Sequence, residues 1–157
     1  PIAYEMLHDY QRARITTFVV GCPATRQVAE RASAILRSDL AQLAAEAHLT
    51  PDLAFVWAGI QLEEYSGAAA RPLLLQAKEG GFNDPSVEYL LAVVALEMRD
   101  LPAAETHAKE AMTVFEKLGD KQQQAQCLFV RGEVARLETR NADASAHYAA
   151  AVKLVPA

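Results

Sequence analysis

The stretch that decides the fold is AQCLFVRGEVARLETRNADASAHYAAAVKLVP, which covers residues 125–156. Counting Ala125 as position 1, large residues stand at positions 4 and 24, which are Leu128 and Tyr148. Small residues stand at positions 8, 11, 20 and 27, which are Gly132, Ala135, Ala144 and Ala151, and Pro156 is position 32. Small side chains let two helices approach closely, whereas larger ones would push them apart at a cost of about 1–3 kcal/mol. The stretch therefore predicts two helices packed closely against each other.

The same spacing of small residues recurs upstream. A shift of 40 residues places the pattern on Ala92, Ala104, Ala108 and Ala111. A further shift of 34 residues places it on Pro51, Ala58, Ala70 and Ala77. The recurrence predicts three units, at residues 51–84, 85–124 and 125–157, which is about the minimum number for a stable stack of repeats.

Helix start and stop signals agree with these units. Thr50-Pro51 and Asp84-Pro85 each place a capping side chain before a proline at the first helical position. Asp120 and Gln123 have the spacing of a capping box, and Gly119 is a natural C-terminal stop. We expect helices near 51–65, 68–79, 85–98, 101–118, 121–139 and 141–154. Because Pro72 falls in an opening turn, the second of these is expected to start closer to Ala70.

The pattern resembles the tetratricopeptide repeat, a helix–turn–helix unit of about 34 residues. The six additional residues of the middle unit lie around FEKLGD, residues 115–120, which is similar to the end of the longer variants of that repeat. The resemblance implies an all-α, right-handed helical-repeat solenoid over residues 51–157. Residues 1–50 do not fit the pattern, since Pro23 would stand inside a helix, and we expect them to form a helical hairpin that caps the stack.

The resemblance also implies a binding groove. In the family, the first helix of each unit lines a concave surface, and position 5 is aromatic in all three units here. Carried over by position, the predicted peptide groove contains Phe55, Val56, Leu62, Tyr89, Leu90, Val93, Phe129, Val130, Glu133 and Arg136. An aromatic surface of this kind suits apolar side chains of a peptide.

A charged clamp for a peptide's terminal carboxylate is not predicted, because its usual places hold Phe55, Gly59, Leu90, Gln126 and Val130. Two alternatives to a ligand groove stay open. Residues 1–50 could cover these side chains, or a second copy of the chain could. Tyr148 and Val152 on the last helix form a predicted self-association edge.

Composition and charge exclude several classes of function. A net charge of −5 argues against nucleic acid as a partner, and no apolar run is long enough to cross a membrane. His107 and His147 share one repeat position, but no Cys, Asp or Glu recurs beside them in a ligand pattern, so no metal and no cofactor are predicted. No nucleophile motif is present, and no catalytic residue is predicted.

The leading hypothesis is a non-catalytic, cytoplasmic adaptor or scaffold that binds an apolar or amphipathic segment of another protein. The alternative is an exported bacterial scaffold for envelope assembly that acts through self-association. Its basis is the stretch Val19-Val20-Gly21-Cys22, which is similar to a lipoprotein cleavage box and would place the lipid on Cys22 in the periplasm.

Overall fold

The computed structural model describes residues 34–35, 37–46, 49–64 and 67–155, and these residues form helices and turns without a strand. The helices are α1 (37–45), α2 (Pro51–Glu64), α3 (Gly67–Glu79), α4 (Pro85–Glu97), α5 (Leu101–Leu118), α6 (Lys121–Leu137) and α7 (Asn141–Leu154). All six helices expected after residue 50 are present, with ends within two residues of their expected places. The all-α prediction is confirmed.

Capping side chains explain where three of the helices begin. The Asp84 carboxylate accepts a hydrogen bond of 2.8 Å from the Ser86 backbone N–H before α4. Asp100 and Asp120 accept equivalent bonds of 3.3 Å and 3.1 Å before α5 and α6. Each carboxylate thereby satisfies one of the backbone donors that the first turn of a helix leaves without an acceptor.

Two details of the expected helix starts are different in the structure. The backbone N–H of Asp120 donates to the Phe115 carbonyl at 3.0 Å, so it is already used by the turn that ends α5 and does not need the second half of a capping box. Helix α3 begins at Gly67 and contains Pro72 inside it, so the expected slip toward Ala70 was wrong. A proline at this depth removes one backbone hydrogen bond, and the helix tolerates the loss.

The N-terminal hairpin lies mostly outside the described residues. The expected helix over 3–19 lies there entirely, as do Val28, Ala32 and Leu36 of the predicted apolar stripe. Within α1, Leu40 is buried as the stripe predicts, whereas Ile35 just before it is 63% exposed. The boundary at residue 50, the cap formed by residues 1–50 and the right-handed sense of the solenoid remain predictions.

The chain divides into two compact units, Pro1–Phe82 and Asn83–Ala157. In the first, α2 packs against α3. In the second, α4 to α7 form an antiparallel series in which each helix packs on the next, and α4 also contacts α6. Contact between every second helix is what a stack of helical hairpins produces. No helix of the described residues is both long enough and apolar enough to cross a bilayer.

Candidate functional site

Helices α4 and α6 lie side by side and line one surface of the unit Asn83–Ala157. Two clusters of small and β-branched residues join them: Ala92 with Ala108 and Val130, and Ala95 with Ala104 and Val134. Tyr89, Val93 and Leu96 are partly buried against these clusters. The alanines permit the close approach, and the larger side chains beside them form the floor of the surface.

Tyr89 is anchored in this floor. It packs against Ala92 and its neighbours and also against the cluster of Ala111, Phe115 and Cys127. Burial, together with the nearby Cys127, raises the pKa of the Tyr89 hydroxyl. Only part of the Tyr89 ring is therefore available to a ligand, and the remainder supports the fold.

Phe129 is the most exposed aromatic residue of the predicted groove, with 56% of its surface accessible. Its ring centroid lies 5.7 Å from that of Tyr148, and the two ring planes are tilted by 49°. This separation and tilt are typical of favourable aromatic pairs. The Phe129 ring is thus held in place on one side and open to solvent on the other.

An ion pair borders the two rings. Arg136 Nε lies 3.2 Å from both oxygens of the Glu133 carboxylate, and Arg136 Nη2 donates to Oε2 at 2.7 Å. The Tyr148 hydroxyl donates a further hydrogen bond to Glu133. The bonds from Arg136 and Tyr148 lower the pKa of the Glu133 carboxyl, while burial and the bond to Glu133 raise the pKa of Tyr148. Phe129, Glu133, Arg136 and Tyr148 therefore form one connected cluster, which we call the aromatic–ion-pair cluster.

Gly132 makes this cluster possible. A Cβ atom at residue 132 would lie 2.5 Å from Cε1 and 2.8 Å from Cδ1 of Tyr148, too close for real carbon atoms. With no side chain at Gly132, the Tyr148 ring lies against the α6 backbone, and its hydroxyl reaches Glu133 one residue further along. The residues at positions 8 and 24 of the repeat pattern therefore pack directly against each other.

Two predicted groove residues of the first repeat, residues 51–84, do not lie on an open surface. Phe55 and Val56 are fully buried, and the Phe55 ring lies 4.8 Å from that of Phe82. The sequence AFVWAGI, residues 54–60, is apolar around the whole circumference of α2, which is typical of a helix covered on all sides. This all-round apolar pattern in the sequence already indicates a buried helix, whereas repeat position alone does not.

The other predicted residues fall into two groups. Val130 is buried between α4 and α6, so it supports the surface and does not form it. The partly or fully exposed ones are Leu62, Tyr89, Leu90, Val93, Glu133, Arg136 and Phe129. Of the predicted self-association edge, Val152 is 68% exposed, whereas Tyr148 belongs to the aromatic–ion-pair cluster. Peptide binding at these residues remains a prediction.

A second group of polar residues was not expected from the sequence. Glu88 of α4 lies next to His107 and Glu110 of α5, with one potential ligand atom from each within 4.8 Å of the others. No metal was predicted from the sequence, because no Cys, Asp or Glu recurs beside both His107 and His147 in a ligand pattern. Glu88 is distant in sequence, and only the pairing of α4 with α5 brings it near.

The four helices of the unit Asn83–Ala157 have small residues at their contacts, and α4 also contacts α6, so they define a helical-repeat protein. Residues 85–157 match the family model described as Tetratricopeptide repeat, which supports the predicted tetratricopeptide repeat in this part of the chain. Proteins of this family generally mediate protein–protein interactions and typically serve as non-catalytic scaffolds. No curated protein and no solved structure gives a significant match to the chain.

Proposed function

We propose that the chain is a non-catalytic adaptor that binds an apolar or amphipathic segment of another protein on the surface of α4 and α6. The observation that carries the proposal is the exposure of Phe129 within the aromatic–ion-pair cluster. Single exposed apolar residues are common on protein surfaces and need no explanation. Phe129 differs because a second ring orients it and partly exposed apolar residues of the neighbouring α4 adjoin its helix.

The composition of the surface suits an amphipathic segment. Val93 of α4 packs against the cluster that contains Val130 of α6, and Phe129 of α6 is exposed, so both helices contribute apolar side chains. Glu133 and Arg136 present both signs of charge at the border of this apolar area. An incoming helix could place its apolar face on Phe129 and Val93 and pair its polar border with the charged residues.

The test is the substitution Phe129→Ala. Because aromatic residues at the centre of an interface commonly contribute 2 kcal/mol or more, we expect a loss of partner affinity of about 30-fold or more. Partners are captured from the native host with the wild-type chain, identified by mass spectrometry and then measured by calorimetry. Since Phe129 is more than half exposed, the thermal stability of the variant should remain close to that of the wild type.

Leu118→Ala is the matched control, because it also removes a large exposed apolar side chain, but at the end of α5, a helix that contributes no residue to the proposed surface. Capture that Phe129→Ala leaves intact, or that both variants reduce equally, would contradict the proposal. Tyr89→Ala is a poorer test, since Tyr89 also packs in two core clusters and its loss would weaken the fold.

Self-association through α7 is a second candidate function, favoured by the exposure of Val152 and of Val155 just beyond the helix. Analytical ultracentrifugation of the wild-type chain and of Val152→Lys tests it, and a monomer at high concentration would exclude it. We propose a cytoplasmic location for the adaptor. The exported alternative requires a lipid on Cys22, outside the described residues, and mass spectrometry of the protein from its host detects that modification.

A further inference from the structure

Glu88, His107 and Glu110 form a compact group of potential metal ligands between α4 and α5. His107 Nδ1 lies 2.7 Å from Glu88 Oε2, and the side chains of these two residues are only 25% and 17% exposed. Glu110 follows His107 by one helical turn on α5 and is exposed to solvent. The three ligand atoms lie within 4.8 Å of one another. Of the residues that the structure describes, this is the one such group of three.

The repeat provides an internal comparison for this group. Forty residues further along the chain, His107 corresponds to His147, Glu88 to Leu128 and Glu110 to Ala150. The histidine recurs, but both carboxylates are replaced by apolar residues, and Leu128 is buried. The middle unit therefore holds a half-buried carboxylate where its neighbour packs a leucine. A departure from the local packing rule of this kind is expected chiefly at functional positions.

The surroundings of the two histidines differ accordingly. Burial, together with the positive charge of Arg131, lowers the pKa of His147. Neither Leu128 nor Ala150 can provide an oxygen ligand there. Glu105 and Asp143 also act on the charge of His147, but they do not form a group of three potential ligand atoms with it. His147 therefore occupies the same repeat position without the ligand set of His107 and is a control within the chain.

We propose that Glu88, His107 and Glu110 bind a divalent transition-metal ion, with Zn²⁺ as the best match. Zinc accepts imidazole nitrogen and carboxylate oxygen at about 2.0–2.2 Å and often has three protein ligands with water in the fourth position. A tetrahedral site with such bonds separates its ligand atoms by roughly 3.3 Å, so His107 and Glu88 need to part slightly and the exposed Glu110 needs to approach. The ion would lie between His107 Nδ1 and Glu88 Oε2, and the neutral imidazole would then carry its proton on Nε2.

Such an ion would join two helices of the same repeat unit. Glu88 lies near the start of α4, while His107 and Glu110 lie in the middle of α5. A metal ion that binds the folded unit and not the unfolded chain also raises the free energy of unfolding of the unit. Once the site is saturated, this gain increases with the logarithm of the metal concentration. Hard cations such as Mg²⁺ should bind poorly, since they prefer an octahedral set of oxygens and release water reluctantly.

The experiment is a calorimetric titration of the tag-free chain with ZnCl₂, with MgCl₂ as a second probe. We expect one Zn²⁺ per chain, no measurable heat from Mg²⁺ and a zinc-dependent shift of the His107 ring signals in NMR spectra. Since the loss of an outer-sphere partner already weakens metal binding 10–100-fold, His107→Ala and Glu110→Gln should each weaken Zn²⁺ binding by at least about 10-fold.

Two controls keep the outcome clear. His147→Ala should bind Zn²⁺ as the wild type does, because its repeat position lacks the two carboxylates. Glu110→Gln changes an exposed side chain and leaves the helix contact intact, so it reports on the metal even if His107→Ala unfolds the unit. Absence of stoichiometric Zn²⁺ binding by the wild type would overturn the proposal. Unchanged affinity in Glu110→Gln, or equal losses in His147→Ala and His107→Ala, would overturn it as well.

Discussion

At the scale of single residues, the turns between helices depend on one backbone conformation that most residues avoid. Gly119 ends α5 in the left-handed region with φ of 70°, and Thr139 adopts the same region after α6 with φ of 61°. In both turns the next residue donates to a carbonyl five positions back, at 3.0 Å for Asp120 and 2.8 Å for Arg140. Glycine adopts this conformation freely, whereas a β-branched residue is strained in it.

Thr139→Gly should therefore stabilise the protein, although the change is at a surface turn. Removal of the left-handed strain contributes about 1–2 kcal/mol, and the greater freedom of glycine in the unfolded chain offsets about 0.5–1 kcal/mol of this. The expected net gain in the free energy of unfolding is about 0.5–1 kcal/mol, measured by urea denaturation. The matched variant Gly119→Ala should lose about 1 kcal/mol, and a loss in both variants would show that the two turns are not equivalent.

At the scale of helices, the pairing of α6 with α7 depends on a contact between backbone and ring. Gly132 leaves space that the Tyr148 ring occupies, and the hydroxyl of that ring reaches Glu133. Alanine is ordinarily the better helix former by about 1 kcal/mol, so glycine in the middle of α6 has a local cost. The close approach of the two helices compensates for that cost.

Gly132→Ala tests this contact, because the packing effect and the helix-propensity effect have opposite signs. The clash with Tyr148 should cost about 1–3 kcal/mol and the helix propensity should return about 1 kcal/mol, so a net loss of up to about 2 kcal/mol is expected. In a Tyr148→Ala background the clash is absent, and the same substitution should then stabilise the protein. Chemical denaturation of the four variants gives both values, and an equal loss in both backgrounds would rule out the ring contact.

At the scale of the whole molecule, the two units Pro1–Phe82 and Asn83–Ala157 each have their own core, and Cys127 reports on the second. The Cys127 side chain is fully buried beside Phe115, and burial raises the pKa of its thiol to about 12. The reactive form of cysteine is the thiolate. Native Cys127 should hence be inert at neutral and mildly alkaline pH.

This protection gives a measurement of how the unit Asn83–Ala157 opens. In a Cys22→Ser variant, Cys127 is the remaining cysteine, and a disulfide reagent at pH 8 should modify it only when the unit unfolds. We expect a reaction at least about 1,000-fold slower than that of the same chain in denaturant, with a rate that follows the unfolding equilibrium. Rapid modification under native conditions would indicate that α5 and α6 separate more readily than their packing implies.

The helices were predictable because their signals are local. The signals lie within a few residues of the helix ends that they define, so they can be recognised from the local sequence alone; they include Asp84-Pro85, Asp120 and Gly119. The close contact of Gly132 with Tyr148 was also encoded, as a fixed spacing of small and large residues. Pro72 was the exception, because packing of α3 overrode an unfavourable local residue.

The candidate sites were not predictable from the sequence in the same way, because they depend on which residues lie close together in space. Phe55 and Phe129 share one repeat position, yet the first is fully buried and the second is half exposed, because exposure depends on what covers a helix. Glu88 and His107 are neighbours only because α4 pairs with α5. Local spacing thus established an all-α repeat with two matched hairpins over residues 85–157. Which side chains face solvent, and which polar groups meet, followed from contacts between helices that a linear pattern does not contain.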